Sequence, residues 1–507
     1  MVLRKVVTPA PTPYPSSTTT PPPKQPHDYL PVPNPMPSYW LQHPHPYATL
    51  RSTPSLPPTC DIAIIGSGMA GVLTLYHILQ TSHKSYLSTG KRMPRVVLLD
   101  ARSLCSGATA RNGGHSKIKT ATLAGMRDSK MRTEMAEYHQ RVIYELKSLV
   151  EQEELAQECE FELRRSFDVF LDREEFESVK RVFDDAVEKG EGWTKSRSVV
   201  EGRYVEQVTS VKGAVGAFSC EVASFWPYKL VTGVLGVLVR RFGGEDGEGV
   251  LNVQMNTPVT HLTTSSSPSS TSSDETTTTT TLHTPRGTLT TPLLVHATNA
   301  YTPSLLPSFR GTITPYKGMN SHHTPSHPIN PHLTHTYNIA FAPSSPGHPT
   351  GTDYLNPRPD STIVVGGGSW LYNNPSSTPY NHNKSLWYNT VDDSLTSGHF
   401  PPHIYSHWTS YMSTTFLGWE NSAAQPDTIW TGIQAQTTDG MPHVGRVPGV
   451  KEGQWMLCGF NGGGMGIIPV CARAVAKMVV EGKGFEDVEG EFGLVGGFAT
   501  GEARMSV

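Results

Sequence analysis

The chain predicts an α/β fold, and three features carry that prediction. The apolar run Asp61-Ile-Ala-Ile-Ile meets Gly66-Ser-Gly68-Met69-Ala70-Gly71, and the apolar stretch Val72 to Leu79 follows. That is strand, tight turn and helix start, the arrangement that binds a dinucleotide pyrophosphate. Arg95-Val-Val-Leu-Leu-Asp100 reads as a second strand ending in an acid. Helical patterns then lie towards both ends of the chain, with strand-rich sequence between them.

Each part of the first unit has a physical reason. Gly66 permits the tight turn, Gly68 lets backbone approach a phosphate, and Gly71 lets helix and strand pack closely. The helix start offers unpaired N–H groups and the positive end of its dipole to the anion. Asp100 is placed to accept hydrogen bonds from both ribose hydroxyls and to repel a 2′-phosphate, which argues against NADP. It lies further past Gly71 than the usual ~20 residues, and the polar stretch Ser82 to Pro94 absorbs the excess as a loop. The motif alone leaves NAD and FAD open.

Met131, Met135, Tyr138, Val142, Leu146 and Leu149 recur at helical spacing and predict a helix near 125–155. Phe176, Val179, Phe183 and Val187 predict another, closed by Gly190. Pro227 starts a helix that stops at Gly243-Gly244, and Pro469 starts a last one running to Gly482. Strands are expected at 252–262, 289–297, 311–320, 336–342, 362–368 and 428–436. Residues 1 to about 29 are rich in Pro, Thr and Ser and read as a disordered tail. The Ser/Thr tract 263–281 reads as a low-complexity surface loop.

Composition limits the function. A chain of 507 residues can bury a large core in two or more lobes. A net charge of −3 gives no electrostatic case for nucleic acid or an anionic membrane. No apolar run reaches the ~18–20 residues of a membrane span, and Met1-Val-Leu-Arg-Lys-Val-Val-Thr-Pro has too short an apolar run for a signal peptide. The end, Arg504-Met-Ser-Val507, is no peroxisomal tail. Six cysteines without Cys-x-x-Cys do not form a disulfide framework, so a cytoplasmic location is expected. His322, His323, His327, His332 and His335 lie among Pro, Ser, Thr and Asn and read as a solvated loop rather than a metal site.

The segment Ala101-Arg102-Ser-Leu-Cys-Ser-Gly107-Ala108-Thr109-Ala-Arg111-Asn112-Gly113-Gly114-His115 resembles the flavin segment of the D-amino-acid-oxidase-like FAD oxidoreductases. Its Gly-Ala-Thr-x-Arg-Asn-Gly-Gly-His form is most similar to a fungal branch near gamma-glutamylputrescine oxidoreductase. Further stretches recur in family order: the arm Leu30 to Leu41, Trp226-Pro-Tyr-Lys-Leu230, Asn256 to Val259, and His296-Ala297-Thr298-Asn299-Ala-Tyr301. So do Gly418-Trp-Glu420, Ile429 to Ile433, Asp439 to Gly445, and the turn Gly459-Phe-Asn-Gly462-Gly463-Gly464-Met465.

The resemblance implies a discontinuous Rossmann-like FAD-binding domain (59–125, 200–310, 430–490) and a substrate domain with a mainly antiparallel sheet (126–199, 311–429), after an arm at 30–58. It implies that Gly66, Gly68, Met69, Ala70 and Gly71 hold the pyrophosphate, Asp100, Ala101 and Arg102 the adenosine, and Val259 the adenine. Gly107, Ala108, Thr109, Arg111, Asn112, Gly113, Gly114 and His115, with Ala297, Thr298, Asn299, Asp439 and Gly462 to Met465, complete the FAD site. The implied reaction oxidises a C–N bond of an amine or amino acid by hydride transfer to flavin N5. His115 is the candidate base, since histidine titrates near neutrality, and fits a structural donor equally well; Lys117 and Lys317 are weaker candidates that also fit plain surface lysines. Trp430 and Lys317 are candidates for the substrate pocket, although Trp430 also fits a plain core position.

Some positions depart from the pattern. Glycine stands at 466, where members have a carboxylate-binding lysine, and Val364 falls where another lysine activates oxygen. Gly432 falls at the tethering cysteine, so FAD is expected to be noncovalent. Gly463 replaces a histidine, and Leu75 a small residue. These changes leave open a second reading, a flavoprotein with structural FAD in a trafficking or scaffold role.

Overall fold

The computed structural model describes residues 25–244, 249–268, 276–330, 332–341, 351–368, 387–394, 400 and 402–505. The first glycine-rich unit forms strand Ile62–Ile65 and helix Met69–Thr89; the helix continues through Ser82 to Thr89, so most of the stretch read as a loop is helix. All four strand residues are buried, as expected of a parallel strand covered on both faces. It is the centre of a six-stranded sheet in the order His443–Arg446, Gln454–Cys458, Leu293–His296, Ile62–Ile65, Val96–Leu99, Leu251–Gln254. Its pairings are parallel except at the His443–Arg446 edge. Helices Met69–Thr89, Pro227–Phe242 and Ile468–Glu481 contribute buried apolar residues to one continuous core with it.

Among the described residues the largest sheet has nine strands. Its path runs Gln425–Thr437, Ile313–Thr324, Ile363–Gly367, Gly351–Pro357, Thr336–Phe341, Glu162–Phe170, Gly216–Ser224, His115–Ser116, with Arg197–Val200 also on Gly216–Ser224. All its pairs are antiparallel except Thr336–Phe341 with Glu162–Phe170. The strand His115–Ser116 carries the flavin-like segment directly into this sheet. The expected helices appear as Ser129–Gln152, Arg173–Glu188, Pro227–Phe242 and Ile468–Glu481. No helix among the described residues is long and apolar enough to cross a membrane.

Several local readings are corrected. Most of the Ser/Thr tract is strand, not loop: His261–Pro268 pairs with Thr276–Thr284, and Gly287–Thr291 completes a three-stranded antiparallel sheet. Threonine's branched Cβ favours extended backbone, and low hydrophobicity hid this; residues 269–275 lie outside the described residues. The strand read at 252–262 ends at Gln254, and that at 289–297 divides at Pro292 between two sheets. Of the tail, 1–24 lies outside the described residues, while Pro26–Tyr29 forms a helical turn that buries Tyr29. His322 and His323 are not in a solvated loop: both are buried on strand Ile313–Thr324, His322 against Asp427 and the Tyr39 ring. All six cysteines are free and buried.

Candidate cofactor and substrate site

Four chain segments converge between the two large sheets. The first is the turn Gly66 to Gly71. Gly66 has φ +111, and a Cβ there would lie 2.5 Å from the Ala297 carbonyl oxygen; one at Gly71 would lie 1.8 Å from Gly66 O. No other residue fits either place. Asp100 closes this turn from below by accepting from Ser67 N and Oγ, each at 2.7 Å, and from Arg102 N at 2.9 Å. Ala70 and Gly71, in the first turn of the helix, have N–H groups with no acceptor inside it.

The second segment is Gly107 to His115. Thr109 Oγ1 accepts from Met69 N at 3.0 Å, which fastens this loop to the helix start. Arg111 is buried, donates from Nε to Ser106 O (2.9 Å) and from Nη1 to Thr431 O (2.8 Å), and leaves Nη2 with no partner. Burial lowers its pKa to about 10, offset in part by Asp393. Asn112 Oδ1 accepts from Gly114 N at 2.8 Å, and Asn356 Nδ2 donates to Gly113 O and Gly114 O, both at 2.9 Å.

The third segment is Gly459 to Met465. Asn299 Oδ1 accepts from Gly459 N (3.1 Å) and Phe460 N (3.2 Å), so Asn299 holds this turn in place. Gly462 and Gly463 are exposed, and a Cβ on Gly462 would lie 2.9 Å from Gln434 Oε1 and 3.3 Å from Tyr316 Oη. The fourth segment is one face of the nine-stranded sheet. Strand alternation puts Tyr316, Asn320, Tyr354, Gln434 and Trp430 on that face. Tyr316 Oη donates to Gln434 Oε1, Tyr354 Oη to Asn320 Oδ1, and Asn320 Nδ2 to Arg111 O.

His115, Lys117, Tyr316 and Tyr354 lie deep yet keep exposed surface of their own, as residues lining an enclosed cleft do. Burial, reinforced by the Lys117 charge, pushes the His115 pKa well below its ordinary value, and its Nδ1 has no partner. His115 is therefore a neutral imidazole, edge-on to Tyr354 with ring centroids 5.5 Å apart. Lys117 donates to Tyr337 O at 2.7 Å, Ser166 Oγ at 3.2 Å and Thr336 Oγ1 at 3.4 Å, and burial lowers its pKa to about 7. A Cβ at Gly466 would meet the His139 ring at 3.3 Å and Lys117 O at 3.6 Å.

The glycine cradle, the open N–H groups and the unpartnered Arg111 Nη2 and His115 Nδ1 fit an extended anionic dinucleotide lying from Gly66 to Gly462. Ala101, Gly107, Ala108, Asn112, Ala297 and Thr298 keep exposed surface along that line. The side chains of Met69, Ala70, Thr109, Val259 and Met465 are buried, which leaves mainly backbone to a ligand.

Other readings need correction. Arg102 is committed to a buried pair with Asp393 at 2.9 Å. The Asp439 carboxylate is held by Arg504 (2.7 and 3.0 Å) and by Met441 N (3.0 Å). Trp430 has no exposed surface and donates to Arg111 O at 3.0 Å, so it is core and not pocket wall. Lys317 alternates with Tyr316 and projects to the opposite face, near Trp387 and the acids Asp392 and Asp393. Sequence reasoning missed Tyr316, Asn320, Tyr354 and Gln434; only alternation along strands that were themselves half-recognised could have found them.

A mainly parallel sheet carrying the glycine-rich turn thus lies beside a mainly antiparallel nine-stranded sheet, with the Gly107–His115 loop in contact with both. Residues 61–478 match the family FAD dependent oxidoreductase (DAO), and the chain belongs to it; its cofactor is FAD. Among solved structures the fold is similar to L-amino acid deaminase from Proteus vulgaris, lacking its specific insertion (TM-score 0.59, 14% identity, 90% of this chain and 98% of that one). It is equally similar to L-proline dehydrogenase from P. horikoshii (0.59, 18%, 86% and 96%). Glycine oxidase from Geobacillus kaustophilus is similar too (0.57, 16%, 84% and 96%). No curated protein matches the sequence.

Proposed function

We propose that the chain oxidises a C–N bond of an amine or amino acid in the cleft between the Gly107–His115 loop and the Tyr316/Tyr354 face. The observation that carries this reading is the convergence of a dinucleotide cradle with a half-open face of neutral hydrogen-bonding groups and one neutral imidazole. Amino acids are named for the deaminase, the proline dehydrogenase and the glycine oxidase of similar fold, which supports the substrate class.

Bound FAD supplies a two-electron acceptor. The turns Gly66 to Gly71, Gly107 to Gly113 and Gly462 to Gly464 would hold it, mainly through main-chain groups. The neutral His115 can orient a substrate amine through a hydrogen bond at the ring edge, while its depressed basicity means the amine enters already deprotonated. Tyr316 and Tyr354 confine the substrate and limit water. Gly466 leaves this end without the carboxylate-binding lysine of related enzymes, which favours an amine over a simple amino acid, and Val364 stands where their oxygen-activating lysine lies, which favours an acceptor other than oxygen.

The test is the visible spectrum of the FAD-loaded protein, without oxygen, against a panel of amines, N-methyl amino acids and D- and L-amino acids. Bleaching by one class supports the reading and names the class. A yellow protein that none of them reduces favours structural FAD in a trafficking or scaffold role, to which the glycine at 466 also points.

A further inference from the structure

The arm before the first strand crosses the flavin-like segment at four points. Arg102 Nη1 donates to Val32 O at 3.4 Å, and Leu104 N to Ala48 O at 2.8 Å. Ser38 Oγ donates to Ala110 O at 2.6 Å, and Trp40 Nε1 to Asn112 O at 2.6 Å. The last two grip main-chain carbonyls on either side of Arg111.

The arm is itself fixed. Met36 N donates to Asp393 O at 2.7 Å, and Trp226 Nε1 to Trp40 O at 3.0 Å. Tyr39 stacks on His322 with centroids 3.8 Å apart. Trp40 has no exposed surface and lies against Gly114, where a Cβ would be 2.7 Å from Trp40 Cη2.

Because a trans peptide is planar, fixing a carbonyl fixes the next N–H in the opposite direction. The Trp40 bond to Asn112 O thus aims the Gly113 N–H away from the arm. Gly113 is buried, and the described residues offer that N–H no acceptor. A buried, unpaired N–H is costly, so its orientation points to a ligand atom.

We infer that Ser38 and Trp40 are positioning residues of the cofactor site: they hold the Arg111–Gly113 backbone in the orientation that binds FAD. The inference rests on the reading that the Gly107–His115 loop holds FAD. It makes the arm part of the site, though it precedes every dinucleotide motif in the chain.

The test uses the full-length protein, stripped of FAD and titrated with FAD by quenching of flavin fluorescence. Ser38→Ala with Trp40→Phe removes both donors and keeps apolar bulk. The expected result is FAD affinity weaker by about tenfold or more, with altered visible circular dichroism of the bound flavin and an apoprotein that still unfolds cooperatively. Ser38→Thr, which keeps the hydroxyl, should retain affinity. If the double variant does not fold, Ser38→Ala alone carries the test with the same two readouts. Unchanged affinity and dichroism overturn the inference. Amide exchange of the wild-type protein separates the two ideas: if FAD does not protect the Gly107–His115 loop, the site reading itself fails, whereas protection there with normal binding in the arm variants overturns only the arm's role.

Discussion

The hydroxyl of Thr109 accepts a hydrogen bond from the backbone nitrogen of Met69 at 3.0 Å, across 40 positions of sequence. The N-cap residue of that helix is Gly68, which has no side chain to cap with. Thr109 therefore does the work of a cap from another segment and couples loop geometry to the helix start. Thr109→Val keeps the shape and removes the acceptor. It should cost about 1 kcal/mol of unfolding free energy and weaken FAD binding, while Thr109→Ser retains both. Urea unfolding of apoprotein and FAD titration check the two effects.

Trp430 gives a second expectation, because its ring is core. Trp430→Ala should cost about 3–5 kcal/mol by opening a cavity. Trp430→Phe, which loses the bond to Arg111 O, should cost about 1–3 kcal/mol and leave the rank order of substrates unchanged. A reordered substrate panel in Trp430→Phe would return the residue to the pocket wall.

Lys117 makes stability depend on pH in a defined window. Burial lowers its pKa from 10.5 to about 7, so between those values the unfolded chain holds a proton that the folded chain lacks. This group's contribution therefore becomes more favourable as pH rises from about 7 to 10.5. Relative to wild type, Lys117→Met should be at its most stable below pH 7 and lose that advantage by pH 10.5, by roughly 1–4 kcal/mol over the window. Denaturant midpoints of both proteins at pH 6.5, 8 and 10 measure it.

Buried histidines predict acid sensitivity. Burial holds His77, His139 and His323 near a pKa of about 3, and His296 and His443 near about 4, against 6.5 when exposed. Their stability is fully present above pH 6.5 and is lost as pH falls from there towards 3–4, because the unfolded chain takes up the protons first. Each adds on the order of 1.4 kcal/mol per pH unit. Unfolding free energies at pH 7, 6 and 5 should fall steeply, and a flat profile would show that these imidazoles are hydrated.

Gly432, packed 2.7 Å (as a would-be Cβ) from the Arg111 side chain, offers no thiol at the tethering position. FAD should leave the protein completely on acid precipitation. Colour retained in the pellet would reveal a covalent bond.

Legibility in the sequence follows physical locality. The turn Gly66 to Gly71 and the strand before Asp100 are local motifs, and their backbone geometry could be read from spacing. The face made by Tyr316, Tyr354 and Gln434 depends on strand register between distant segments, which no local pattern encodes. Asn299, Arg102 and Asp439 were recognisable as part of the frame. Their hydrogen bonds go to Gly459, Asp393 and Arg504, however, and such partners emerge only when the chain is folded. The Ser/Thr strands read as a surface loop because of their polarity, although their β-branched threonines favour extended backbone.

The six cysteines have a practical consequence. Burial raises the thiols of Cys60, Cys105, Cys159, Cys220, Cys458 and Cys471, to about 11 for Cys60 and about 12 for Cys159, Cys220 and Cys471. A thiol that is both hidden and protonated does not react with alkylating reagents. Each becomes a silent reporter until its own region opens. Cys60 beside the first strand, Cys220 in the nine-stranded sheet and Cys471 on helix Ile468–Glu481 lie in separate elements, so the order in which they are labelled would time local breathing without any engineered probe.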